Sequence, residues 1–258
     1  MRADPIFANP RLAAIYDTFD GDRTDLDAYA AMVDDFGAHR ILDIGCGTGA
    51  FACLLAARGF EVTGVDPALA SLEIARAKPF ADRVTWIRGT AADVPANNAD
   101  LAVMTGNVAQ VFLDDRDWLA ALRGAYNALR PGGYLVFEVR DPAARAWERW
   151  TPAITRQRRE IPLIGAVEAW TEVTNVSLPI VSFRHTYRFE SDGAILTSDS
   201  TLRFRDRTEI EANLRSAGFT VREVCDAPDR PNLEFVFIAQ RSGNSSPPLP
   251  SLGEGAGG

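Results

Sequence analysis

The chain has 258 residues, 47% of them hydrophobic, enough to bury a substantial core in one or two domains. Its net charge of −8 opposes binding to a phosphate backbone, so nucleic acid is a disfavoured partner. No run of about 18 apolar residues is present to span a membrane. Cys46, Cys53 and Cys225 are too scattered for a disulfide framework, and with only His39 and His185 beside them they argue against a bound metal.

In chain order, Met1–Pro10 lacks the apolar stretch of a secretory signal, so the expected location is a reducing cytoplasm. Leu12–Phe19 reads as a short helix. Thr24–Phe36 reads as an amphipathic one, with Leu26, Tyr29, Ala30, Val33 and Phe36 near helical spacing. From Arg40 the pattern becomes strand, turn, helix, repeated. Strands are predicted at Arg40–Ile44, Glu61–Val65, Val84–Arg88, Leu101–Met104 and Tyr134–Val139. Helices are predicted at Ala50–Arg58, Ala68–Ala77 and Asp114–Leu129, the last ended by Pro131-Gly132-Gly133. This alternation implies a mostly parallel sheet with helices on both faces.

The rhythm then breaks. After a predicted helix over Pro142–Trp150 come three strand-like segments without intervening helices: Val167–Val176, Ile180–Glu190 and Ala194–Phe204. Ser191-Asp192-Gly193 suits a tight hairpin, so this region reads as an antiparallel meander inserted after the fifth strand. Thr208 and Glu211 form a capping-box pattern for a helix through Ala217, followed by strands at Thr220–Val224 and Leu233–Gln240. Ser242–Gly258 is rich in Ser, Pro and Gly and is expected to be disordered.

The most informative segment is Ile41-Leu42-Asp43-Ile44-Gly45-Cys46-Gly47-Thr48-Gly49. Its glycines permit a tight strand-to-helix turn and close backbone approach to a ligand. Asp66, at the end of the next strand, is placed to accept two hydrogen bonds from a ribose diol. Glycine loop and acid together describe a nucleoside site at the carboxyl ends of parallel strands. The loop also satisfies a dinucleotide fingerprint, so a nicotinamide-dependent oxidoreductase is one competing reading. That reading needs a second mononucleotide half, where this chain has a Pro-Gly-Gly turn and a meander.

Leu42–Gly49 resembles the first motif of class I S-adenosylmethionine-dependent methyltransferases. Val62-Thr63-Gly64-Val65-Asp66 resembles their second motif, and Gly89-Thr90-Ala91-Ala92-Asp93-Val94-Pro95 their third. Asp100–Val103 resembles the fourth strand, and Leu129-Arg130-Pro131-Gly132-Gly133 the turn before the fifth. The likeness spans roughly Arg40 to Arg140.

The resemblance implies a Rossmann-like three-layer α/β/α sandwich with a mostly parallel seven-stranded sheet, and S-adenosylmethionine as cofactor. The implied organisation is a helical cap (1–37), a cofactor-binding core (38–142), an antiparallel lid (143–205), completion of the core (206–241) and a tail (242–258). Asp43 with the backbone of Gly45, Cys46 and Gly47 would hold the methionine end. Asp66 would hold the ribose, Pro67 would pack near the adenine, and Ala91 would present its backbone to the ring. Thr90 stands where the family commonly has Asp, so either it or Asp93 would meet the adenine amine. Thr105, Gly106 and Asn107 follow the fourth strand, beside the cofactor's amino group and the start of the substrate site. Tyr16 resembles the N-terminal tyrosine that closes over the cofactor.

On the substrate side, His185 is the candidate general base and Glu138, at the carboxyl end of the fifth strand, a second candidate catalytic residue. Arg140 beside it would contact an acceptor or form an ordinary ion pair. Six arginines between Arg140 and Arg159 read as a solvated face, with steering of an acidic acceptor as the alternative. The expected partner is a small-molecule acceptor, in a monomer or homodimer. A non-catalytic cofactor-binding module is the remaining alternative.

Overall fold

Seven strands form one sheet, mostly parallel, and four more form a second, antiparallel sheet. The computed structural model describes residues 3–243 other than 22 and 24. Most of the expected C-terminal tail, 244–258, lies outside the described residues.

The chain begins with helices α1 (Pro5–Ala8), α2 (Pro10–Asp20) and α3 (Asp25–Asp35). Asn9 caps α2 by accepting from the N–H groups of Arg11 and Leu12, and Pro10 occupies a position where its missing N–H costs nothing. Then follow β1 (Arg40–Ile44), α4 (Ala50–Ala57), β2 (Glu61–Asp66), α5 (Leu69–Arg76), β3 (Val84–Arg88), β4 (Ala99–Met104), α6 (Asp115–Ala128) and β5 (Leu129–Arg140). After β5 come α7 (Pro152–Thr155), β6 (Gln157–Ile161), β7 (Gly165–Ser177), β8 (Ile180–Phe189) and β9 (Ile195–Arg203). The chain returns to the main sheet through α8 (Arg207–Ser216), β10 (Phe219–Ala227) and β11 (Arg230–Arg241).

Strands β1 to β5 are parallel, and β11 runs antiparallel between β5 and β10. Alternate residues of β5 face opposite layers, as strand geometry requires. Leu135, Phe137 and Val139 pack with Trp118 and Leu122 of α6 and Leu214 of α8. Tyr134 and Val136 pack with Leu26 and Val33 of α3 and Leu55 of α4. The Phe137 and Phe237 rings stack at 5.3 Å across the sheet.

The second sheet does not stand alone. Tyr187 and Phe189 of β8 bury against Ile6, Leu12 and Ile15, so the N-terminal helices and the inserted sheet share one apolar cluster. The Ile6 N–H donates to Ser198 Oγ at 3.0 Å. The Asp17 carboxylate accepts from Thr48 Oγ1 of the glycine loop and pairs with Lys78 Nζ, each at 2.5 Å. One acid of α2 thereby fastens the cap to the core.

Three sequence expectations are corrected. The inserted antiparallel sheet has four strands rather than three, the additional one being β6. Its residues Arg158, Arg159 and Glu160 are exposed and lack apolar alternation, so only backbone pairing with β7 makes it a strand. Charged edge strands of this kind resist edge-to-edge pairing with other chains. The helix expected over Pro142–Trp150 is two 3₁₀ turns broken at Arg145, whose φ is +47°. Trp147 packs against Phe204 and Trp150 against Phe183, both at 4.7 Å, which anchors the two turns to one aromatic cluster. Helix α8 is capped by Asp206, which accepts from the Glu209 N–H at 2.7 Å, two residues before the expected Thr208.

Candidate functional site

A cleft of ≈ 550 Å³ opens at the carboxyl ends of β1, β2 and β4, within the range of roughly 300–1,000 Å³ typical of ligand pockets. Of the residues singled out in the sequence, Tyr16, Asp43, Gly45, Cys46, Gly47, Asp66, Pro67, Thr90, Ala91, Thr105 and Gly106 all line it. Asn107, Glu138 and His185 do not.

The glycine loop is built for backbone approach. Gly47 has φ +52°, and a Cβ there would meet nothing closer than the Gly45 carbonyl at 4.0 Å. The space above the loop is therefore open to a ligand. The Gly47 N–H donates to Asp66 Oδ2 at 2.9 Å, and the Ala68 N–H to Oδ1 at 2.7 Å. Each Asp66 oxygen keeps acceptor capacity, which suits a pair of vicinal hydroxyls. Burial raises the Asp66 pKa, and those two N–H groups oppose the rise.

Asp43 carries the sharper signal. It is 1% exposed, and neither carboxylate oxygen has a hydrogen-bond partner among the described residues. Burial, reinforced by the charge of Asp66 and opposed by Arg23, pushes its pKa up to about 7. A buried bare carboxylate is costly unless a cation joins it, so the site fits a ligand bearing an ammonium group. Arg23, which sequence reasoning missed, also lines the cleft; its guanidinium is held by Asp20 at 2.6 Å and Asp25 at 3.0 Å. Nothing in the local sequence marked Arg23; the fold of α2 and α3 brings it in.

At the far end, Thr90 caps a 3₁₀ turn over Ala91–Asp93. The Asp93 carboxylate accepts from the Thr90 N–H at 2.8 Å and from Thr90 Oγ1 at 3.1 Å. Asp93 is thus occupied as the reciprocal cap, and Thr90 and Ala91 are the residues that face the cleft. Helix α6 abuts this turn at Gly124, where a Cβ would stand 2.7 Å from the Ala91 carbonyl carbon and 2.8 Å from the Ala92 nitrogen. Gly→Ala in an open helix stabilises by about 1 kcal/mol. Here Gly124→Ala is expected to do the reverse, lowering Tm and weakening ligand binding several-fold, because backbone must move; a thermal melt and a titration check both.

Glu138 lies behind the turn after β4. Its Oε1 accepts from the Gly106 N–H at 2.6 Å and the Asn107 N–H at 3.2 Å, and burial raises its pKa. Gly106 and Asn107 have φ values of +74° and +61°. Glu138 therefore pins two successive left-handed residues, which makes it a positioning residue of the cleft wall. Asn107 turns away from the cleft, donating from Nδ2 to Glu234 at 3.3 and 3.4 Å.

His185 sits on the inner face of β8 between Phe183 and Tyr187, with Nδ1 at 2.8 Å from Thr171 Oγ1. Burial lowers its pKa to about 4, so it is neutral at physiological pH. Tyr16 packs on Phe7 at 5.3 Å and roofs the cleft. Three of the six arginines from Arg140 to Arg159 pair with acids at the surface: Arg145–Glu148 at 2.7 Å, Arg156–Glu168 at 2.9 Å and Arg158–Glu190 at 2.9 Å. After β5 the chain enters the lid rather than a second parallel half, which removes the structural basis for a dinucleotide site.

Residues 41–133 match the model of a family described as a methyltransferase domain. A protein of Geobacillus sp. (strain WCH70) named as a methyltransferase is 29% identical over 217 residues, covering 80% of this chain and 85% of the relative. Among solved structures, the CcbJ methyltransferase from Streptomyces caelestis is similar with a TM-score of 0.72 at 22% identity, over 90% of this chain and 96% of that one. A structure of CalS10 with bound S-adenosylmethionine, an amino pentose methyltransferase from Micromonospora echinaspora, is similar with a TM-score of 0.64 at 22% identity, over 89% and 96% of the two chains. No helix among the described residues is long and apolar enough to cross a membrane.

Proposed function

We propose that this chain, a class I S-adenosylmethionine-dependent methyltransferase, acts on a compact small-molecule acceptor enclosed between the core and the inserted sheet. The observation that carries this reading is the joint roof formed by α1, α2 and the lid. Ile6, Leu12 and Ile15 are buried against Tyr187 and Phe189, so the roof is tied to both walls of the cleft. Such a roof favours a compact acceptor over a polymer or a folded domain. The amino pentose named for CalS10 is an acceptor of the kind such an enclosure admits.

The residues divide the work. Asp43 holds the ammonium of the methionine moiety, and Asp66 holds the ribose hydroxyls. Thr90 and Ala91 border the adenine, held in place by Gly124. Bound there, S-adenosylmethionine supplies an electrophilic methyl group on a positively charged sulfur. The protein's contribution is to position the acceptor and exclude water. Glu138 contributes by fixing the Thr105–Asn107 turn, and Tyr16 closes the site from above. A neutral, Thr171-bound His185 away from the cleft fits a packing role better than that of a base. Accordingly, His185→Gln is expected to leave the pH profile of methyl transfer unchanged; disappearance of a titration between pH 5 and 8 would restore it as the base.

The test is transfer of a labelled methyl group from S-adenosylmethionine to pools of amines, hydroxy acids and sugars, beside protein and RNA pools. Label in the small-molecule pools alone supports the reading. Label confined to protein or RNA overturns it.

A further inference from the structure

Tyr16 and Asp17 are neighbours on α2 with different surroundings. Tyr16 lines the cleft, whereas Asp17 reaches the core beside it. Asp17 Oδ1 accepts from Thr48 Oγ1 at 2.5 Å, and Oδ2 pairs at 2.5 Å with Nζ of Lys78, just beyond α5. Thr48 is 3% exposed and lines the cleft, between Gly47 and Gly49 with φ values of +52° and +76°. The hydroxyl of this glycine-loop residue is thus held by an acid 31 residues earlier in the chain.

The roof is attached differently along its two seams. The apolar cluster around Ile6, Leu12 and Ile15 draws only on α1, α2 and the inserted sheet, so these pack as one unit. At the base of the inserted sheet that unit is anchored to the core. Trp147, Phe183 and Phe204 bury there, with Val111 packed beside them. Arg205, 4% exposed, donates to the Phe112 carbonyl at 2.8 Å, and Arg203 donates to the Leu113 carbonyl at 3.1 Å. The other seam, along the glycine loop and α5, is polar. Among the described residues its hydrogen bonds and ion pairs are Thr48 to Asp17, Lys78 to Asp17, and Ser71 Oγ to the Phe7 carbonyl at 3.0 Å. Asp17 makes two of these contacts with 40% of its side chain accessible. Polar contacts so open to water break and re-form readily.

We propose that Asp17 is the latch of a gate. Helices α1 and α2 swing with the inserted sheet about the base of that sheet, and cofactor exchange requires the Asp17 contacts to Thr48 and Lys78 to part. This rests on the cofactor reading above. The chain leaves α2 at Gly21, where φ is +93° and a Cβ would meet nothing within 4 Å, so that connection has room to turn. Asp17 lies outside the residues that line the cleft, so it is a positioning residue acting through Thr48 and the roof. A latch that holds the closed state with or without a ligand sets how fast the ligand enters and leaves rather than how tightly it is held.

The experiment measures association and dissociation rates of S-adenosylhomocysteine with the full chain by rapid mixing, beside its affinity by calorimetry. Asp17→Ala and Thr48→Val are each expected to raise both rates about tenfold, as for loss of a hydrogen bond to a charged group, with affinity within about threefold of wild type. Thr48→Ser, which keeps the hydroxyl, should restore the wild-type rates. Thr48→Val changes shape little and serves if Asp17→Ala fails to fold. Faster dissociation with unchanged association and a matching loss of affinity overturns the gate, because Asp17 then only shapes the glycine loop. Unchanged rates in both variants, or Thr48→Ser as fast as Thr48→Val, overturn it too. Failure of wild type to bind S-adenosylhomocysteine overturns the cofactor reading, and the gate with it.

Discussion

Asp66→Ala is expected to weaken S-adenosylmethionine binding by about tenfold to a hundredfold, the loss of one or two hydrogen bonds to a charged acceptor at about 1–3 kcal/mol. The same carboxylate accepts from the N–H groups of Gly47 and Ala68, so its removal also loosens the glycine loop at the point of contact with the ligand. Asp66→Asn separates the two contributions. Its amide retains one oxygen but turns an NH₂ toward one of those N–H donors, so loop distortion persists while a hydroxyl can still be bound. Calorimetric titration should therefore rank wild type above Asn and Asn above or equal to Ala, with circular dichroism confirming that all three fold. Wild-type affinity in the alanine variant would remove Asp66 from the ribose site.

Asp43→Asn is expected to act in opposite directions on stability and on binding. In the unfolded chain Asp43 titrates near 3.8, and in the folded, unliganded protein at about 7. Between those values the folded state holds more protons than the unfolded one, so stability falls as pH rises from about 4 to about 7. The full penalty above pH 7 is on the order of 4 kcal/mol. Removing the charge should therefore raise the melting temperature of the unliganded protein at pH 8 and flatten its decline with pH. Cofactor binding should respond the other way. It needs the charged carboxylate, so wild-type affinity should rise as pH passes upward through about 7, and Asp43→Asn should lose about tenfold at pH 8 and show little pH dependence. Thermal melts and titrations at pH 6 and 8 read both effects. A variant less stable than wild type at pH 8 would show that the carboxylate is already paired before the ligand arrives.

Asp43 and Asp66 were legible as cleft positions because Asp43 sits two residues before the glycine loop and Asp66 ends the next strand, where spacing alone assigns a place. The same holds for Gly45, Gly47, Ala91 and Gly106, whose backbone rather than side chain meets the cleft. Side chains whose role depends on distant packing were less legible. Glu138 ends its strand and Asn107 occupies its turn as expected, but their direction is decided by contact with the Gly106 N–H and with Glu234, more than 30 residues away in either case. His185 alternates correctly on its strand, yet alternation only names a face; whether that face meets the cleft or buries against Phe183 and Tyr187 depends on how the lid docks.

Local pattern thus determined the parallel core, the glycine loop with Asp66 at the end of the next strand, and the presence of an antiparallel insertion, because strand period, turn chemistry and capping act over a few residues. The tertiary structure alone decided the fourth strand of the inserted sheet, which exists by backbone pairing without apolar alternation, and the break at Arg145, beside the packing of Trp147 on Phe204 and Trp150 on Phe183. It also decided the arrival of Arg23 in the cleft that Asp43 lines. Each of those depends on contacts between segments far apart in the chain, and burial and charge pairing across such distances leave no mark on local spacing.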